Sequence, residues 1–391
     1  QSAIYGSDAL AGVINIITRR PQAGHHQEVH AEVGEDDYSD VGVSALGSAA
    51  DFNYTLALAG RDEGEPVPGS TRNTDSANLR LGWQPTDGQE FTAGYRYLDG
   101  NRSTYPEQSG GPTYALYDDL DRSDYTEDIL SLGWGAQWSP LWRSTVTANR
   151  FEHDERYRSP GIFPYFDVPS NAADTNFTRD QVQWLNTLHI AAGYEANIGA
   201  DYRHEDGQSR GYLEYFGEQN PTDYSLDRDT RGVFADISAT PLQDLLLHGS
   251  LRHDNPDNFD SETSAQAGVK YSVGRGVTLA ANWGEAYKLP SFLALGHPLV
   301  GNPHLQPEQG ESWDLGLDWA VSDTLKLAAT WFDNDFRELV DFDAETFRNV
   351  NRNSVQTSGV ELQAHWQPLT ALSLRSQATY TDIDVRNSDT V

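Results

Sequence analysis

Tyr194-Glu195-Ala196-Asn197-Ile198-Gly199-Ala200-Asp201-Tyr202-Arg203 alternates without a break. Tyr194, Ala196, Ile198, Ala200 and Tyr202 form one phase, and Glu195, Asn197, Gly199, Asp201 and Arg203 the other. Successive side chains of an extended chain point to opposite faces, so this is a strand with one apolar and one polar face. The pattern recurs. Ala265, Ala267, Val269, Tyr271 and Val273 alternate with Gln266, Gly268, Lys270 and Ser272, and Leu325, Leu327, Ala329 and Trp331 alternate with Lys326, Ala328 and Thr330.

Seventeen such strands are predicted, at 27–34, 39–48, 52–61, 76–85, 90–98, 128–138, 142–153, 179–192, 194–204, 229–240, 245–254, 263–273, 277–287, 311–320, 324–337, 346–367 and 371–384. A soluble β-sandwich also alternates, but with about seven shorter strands. The connections sort into two sets. Short ones follow even-numbered strands, and longer ones, at 62–75, 99–127, 154–178, 205–228, 255–262, 288–310 and 338–345, mostly follow odd-numbered strands. Outer-membrane barrels have short periplasmic turns and long outer loops. Arg80, Arg96, Arg143, Arg203, Arg252, Lys270, Lys326 and Arg375 all fall on the polar phase. A cation facing lipid at mid-depth costs about 2–4 kcal/mol, so that phase faces the lumen. The expected fold is all-β, a transmembrane antiparallel up-and-down barrel.

The first residues, QSAIYGSDALAGVINIITRRP (Gln1–Pro21), read as a glycine-permitted turn feeding a β-branched strand that proline ends. Tyr5-Gly6-Ser7-Asp8-Ala9 followed by Gly12-Val13-Ile14-Asn15-Ile16-Ile17-Thr18 resembles the last plug segment of TonB-dependent outer-membrane receptors. A second stretch, Tyr287-Lys288-Leu289-Pro290-Ser291 and then Gly301-Asn302-Pro303-His304-Leu305-Gln306-Pro307-Glu308, resembles a loop of the same family's barrel that is mainly structural there. The resemblance implies a plug inside the barrel, with residues 1–24 as its C-terminal end and 25–391 as barrel wall. It implies TonB as partner, outer-membrane lipid around the wall, and active uptake of a large, scarce nutrient in the outer membrane of a Gram-negative bacterium. Such barrels have about twenty-two strands. About five are then expected beyond Val391 and more plug before Gln1, in keeping with a chain that neither begins with nor contains Met.

Composition narrows the alternatives. The net charge is −32, from 59 acidic and 27 basic residues, which excludes a nucleic-acid binder. Cysteine is absent, so no disulfide or thiolate site exists. The 19 Tyr and 10 Trp suit aromatic girdles at a membrane interface. No catalytic motif is present, so an enzyme is not expected, and His25-His26 reads as surface. A passive porin needs no plug, and a barrel serving as an adhesin or surface enzyme would need functional groups that the sequence does not reveal.

The candidate sites are therefore the plug motif (Tyr5, Gly6, Ser7, Asp8, Ala9, Gly12, Asn15) and the outer loops. Aromatic side chains that could hold a large rigid ligand are Tyr105, Tyr114, Tyr117, Phe163, Tyr165, Phe166, Tyr212, Tyr215 and Phe216. Asp118, Asp119, Asp121 and Asp124 could gather round a hard cation such as calcium, without the EF-hand spacing. A solvated acidic loop is the plainer reading. In the family's cobalamin (vitamin B12) receptors, calcium orders acidic outer loops. Ile4–Ala9, Tyr287–Glu308, Asp341-Phe342-Asp343 with Gly359-Val360-Glu361, and Asp384–Asn387 resemble that cobalamin branch. Gly359-Val360-Glu361 is shared with ferric-siderophore receptors, which are the alternative.

Overall fold

The computed structural model describes residues 6–7, 24–106, 109–115, 119–162, 169–215 and 217–386. Eighteen strands are present among them. They are β1 (Gly24–Val33), β2 (Ser39–Ala49), β3 (Phe52–Asp62), β4 (Thr71–Thr86), β5 (Gln89–Thr104), β6 (Asp121–Ser139), β7 (Trp142–Ser159), β8 (Asn171–Ala191) and β9 (Tyr194–Tyr215). The second half holds β10 (Glu218–Pro221), β11 (Tyr224–Leu242), β12 (Leu245–Pro256), β13 (Glu262–Gly274), β14 (Val277–Lys288), β15 (Glu308–Ser322), β16 (Leu325–Asp343), β17 (Arg348–Leu369) and β18 (Leu372–Arg386). Two short helices, α1 (Gly111–Tyr114) and α2 (Phe292–Gly296), lie in connections.

Every pairing is antiparallel between neighbours in sequence, except that β9 pairs with both β10 and β11. The four-residue β10 folds back on the end of β9, and the remaining seventeen strands form one continuous meander. Among the described residues β1 pairs only with β2, and β18 only with β17. Eight connections at one end have two residues each, from 50–51 to 370–371. All seventeen predicted strands are found. Most of those bordering the long connections extend further than expected at their outer ends: β9 runs to Tyr215 where a loop was read from 205, and β6 begins at Asp121.

The outer face explains both results. Leu79, Leu81, Leu130, Leu132, Leu315 and Leu317 stand 39–52% exposed. Phe52, Trp83, Phe91 and Trp134 fall in register along the two-residue-turn side of this belt, with Phe52 and Trp83 stacked at 5.9 Å. Trp283 and Trp313 pair on its other side. Beyond that second row the same face turns acidic. Tyr202 donates to Asp229 at 2.9 Å, and Trp283 donates to Glu311 at 2.9 Å. Above the belt both faces are polar, so alternation fades from the sequence while the backbone ladder continues. Lys326, His365 and Arg375 share an inner row, flanked outside by Leu327 and Leu374.

Candidate functional site

The inner wall carries buried charge where register places it. Arg179 on β8, Glu205 on β9 and Arg228 on β11 are direct cross-strand partners. Glu205 is 1% exposed. Arg179 donates to its Oε1 through Nε at 2.9 Å and Nη2 at 2.6 Å. Arg228 donates to its Oε2 through Nε at 3.0 Å and Nη2 at 2.8 Å. Arg203, on the same face of β9, lies 3.7 Å away. One carboxylate thus satisfies two planar forks, the arrangement that lets a buried charge cluster persist.

A second knot adjoins it. Asp201, Gly232 and Asp254 share one row. Arg252 on β12 reaches across Gly232 to both acids, at 2.7 and 2.9 Å to Asp201 and 2.6 and 2.8 Å to Asp254. Its guanidinium lies over the Phe234 ring, 5.5 Å from the centroid. In a chain of net charge −32, this wall sets four arginines against three carboxylates.

Two residues of the Tyr5–Ala9 motif meet this wall. Ser7 is 5% exposed, and its hydroxyl accepts a hydrogen bond from Arg203. Gly6, at φ +74°, lies against Arg252, where a Cβ would come within 3.0 Å of Nη2. Tyr5, Asp8, Ala9, Gly12 and Asn15 lie outside the described residues.

The outer loop between β14 and β15 folds inward onto the same wall. Ser291 caps α2 by accepting from the Ala294 amide at 3.1 Å. Phe292 seats over Gly207, where a Cβ would meet its ring at 2.2 Å, and packs 6.1 Å from Phe177. Arg228 donates to the Pro290 carbonyl at 3.2 Å and lies 5.0 Å from the Phe292 centroid. The rest of the loop is laced to the β16–β17 hairpin. Asn302 donates to the Asn349 carbonyl, Asn349 to Val300, and Asn351 to Gln306, at 2.9–3.0 Å. Glu308 accepts from the Val340 amide and pairs with Lys288 at 3.1 Å. Leu289 and Leu305 are buried beneath. The Gly301–Glu308 stretch is therefore a structural clasp, as its family resemblance implies. Burial pushes the His297 imidazole below its ordinary pKa, and its Nδ1 accepts the amides of Leu299 and Val300.

The other predicted residues are spread out. Tyr105 is half-buried beside Pro106, and Tyr114 is 83% exposed at the end of α1. Tyr212 and Tyr215 are strand residues of β9, not loop residues as expected, because above the belt β9 stays paired with β8 as far as Leu213 and with β10 as far as Tyr215. Tyr117, Phe163, Tyr165, Phe166 and Phe216 lie outside the described residues. The acidic stretch is corrected in the same way. Asp119 precedes β6, whereas Asp121 and Asp124 lie on β6, three residues apart and hence on opposite faces. Asp118 is outside the described residues, and among those described no three His, Asp or Glu side chains are grouped to hold a metal ion. Sequence reading placed Arg203 and Arg252 on the inner face but missed the Glu205 knot. Its signal was opposite charges on the polar phase of adjacent strands, legible only once register is known.

The description "TonB dependent receptor-like, beta-barrel" matches residues 70–391. The chain belongs to the TonB-dependent receptor β-barrel family. Its barrel is 27% identical over 384 residues to the vitamin B12 transporter BtuB of Vibrio cholerae serotype O1, covering 94% of this chain and 58% of the relative. It is 29% identical over 357 residues to the vitamin B12 transporter BtuB of Vibrio vulnificus, covering 86% and 53%. The chain thus spans little more than half the length of these relatives. The ferric yersiniabactin uptake receptor FyuA of Yersinia pestis superposes with a TM-score of 0.80 at 14% identity, covering 99% of this chain and 65% of that one, a likeness of fold.

Proposed function

We propose that this barrel belongs to an outer-membrane receptor that takes up cobalamin with energy delivered through TonB. The observation that carries the reading is the match to the two vitamin B12 transporters along nearly the whole chain. Two structural features support it. The outer face has an apolar belt edged by aromatic residues, suited to bilayer lipid. The buried wall holds Ser7, which fits residues 1–24 as the end of a plug that a passive pore would not need. The role is binding and passage, not catalysis.

Calorimetry on the full-length receptor in detergent tests this, with cyanocobalamin and a panel of ferric siderophores, each with and without calcium. Tight cobalamin binding is expected. Calcium dependence would make the acidic stretch 118–128 the ion site to map. Binding of a ferric siderophore with no cobalamin binding would move the substrate to chelated iron and overturn the reading.

A further inference from the structure

The Glu205 knot touches two things that the sequence keeps far apart. Through Arg203 it meets Ser7, and through Arg228 it meets the loop between β14 and β15. Arg228 spends its fork on both tasks. Nε and Nη2 hold Glu205, Nη1 holds the Pro290 carbonyl, and the guanidinium plane packs on Phe292. The side chain is 9% exposed, so water cannot readily replace a lost partner. If Phe292 leaves its seat over Gly207, Arg228 loses a carbonyl and a ring, and its hold on Glu205 changes. Glu205 has two oxygens shared by three arginines, so a change in one fork is felt by the others.

We propose that Arg228 is a positioning residue that couples docking of the outer loop to the hold on the Gly6–Ser7 segment, with Glu205 as the shared element. The coupling rests on the proposed uptake function only for its use, as a route by which a ligand arriving at the outer loops alters the plug's end. Such coupling is reciprocal by thermodynamic necessity. Loosening the loop must loosen Ser7, and loosening Ser7 must loosen the loop by the same factor.

The test is amide hydrogen exchange on the full-length receptor without ligand, comparing wild type with Phe292→Ala, Ser7→Ala and Arg228→Met. Phe292→Ala is expected to speed exchange at Gly6–Ser7 by about fivefold or more, and Ser7→Ala to speed exchange at 292–297 by a similar factor. In the Arg228→Met background each effect should vanish, while amides of β4 and β5 stay unchanged throughout. Arg228→Lys keeps a charge for Glu205 but loses the planar fork, so it should retain the fold and lose the coupling. Effects confined to the mutated side would overturn the proposal. So would coupling that survives Arg228→Met or Arg228→Lys. Exchange is read without any nutrient, so this outcome is independent of whether cobalamin binds.

Discussion

Replacing Gly232 by alanine should damage the inner wall out of proportion to one methyl group. Gly232 lies between Asp201 and Asp254, beneath the guanidinium of Arg252. A Cβ there would stand 2.2 Å from Arg252 Nη2 and 2.5 Å from Asp254 Oδ1. The side chains of Arg252, Asp201 and Asp254 are 4%, 4% and 1% exposed, so none can swing into water. Breaking a buried pair costs about 3–5 kcal/mol, because the charges left behind stay desolvated. Alanine returns about 0.4–1 kcal/mol by restricting the unfolded chain. The expected net loss is about 2–4.6 kcal/mol. Gly316→Ala is the control, since its nearest contacts would be ordinary ones at 3.7 and 4.0 Å. Urea unfolding from lipid vesicles, followed by tryptophan fluorescence, compares the two. In an Arg252→Met background the alanine should cost less than in the wild type, because the ion pair it disrupts is already gone and only the approach to Asp254 Oδ1 remains. Gly232→Ala as stable as Gly316→Ala would refute the reasoning.

Three further outcomes are expected. His297 has a folded pKa below its unfolded value of about 6.5, so its contribution is present above that pH and is lost as pH falls through the folded pKa. Protection factors at 291–302, corrected for the intrinsic exchange rate at each pH, should therefore fall from pH 7 to pH 5, and His297→Asn, which keeps an acceptor for the following amides, should flatten that fall. Leu305→Ala empties a site that is 2% exposed and should destabilise the clasp by about 2–5 kcal/mol, read by urea unfolding. Spin labels at Leu327 and Trp331 should be reached by a lipid-soluble relaxant and a label at Lys326 by a water-soluble one, and the reverse pattern would invert the wall.

Strand number, order and facing are legible because a wall with one apolar and one polar face imposes a strict period of two along every strand. Leu327 outward and Lys326 inward follow from that alone. Where the wall rises past the aromatic rows, both faces are polar and the constraint disappears, so the alternation of β6 and β9 stops short of their ladders. Asp121 and Asp124 accordingly carry no strand signal in the sequence although both lie on β6. The clasp was recognisable as a motif, but its attachments to Asn349 and Asn351 were not.

The sequence by itself determined an alternating wall, its apolar face and its family, since each is set by neighbours along the chain. Only the tertiary structure decided that Arg179, Glu205 and Arg228 share one row, that Arg252 crosses Gly232, and that Ser7 and Phe292 meet the same knot. Those contacts join residues from distant parts of the chain, and a buried charge has no local signature until register brings its partner opposite.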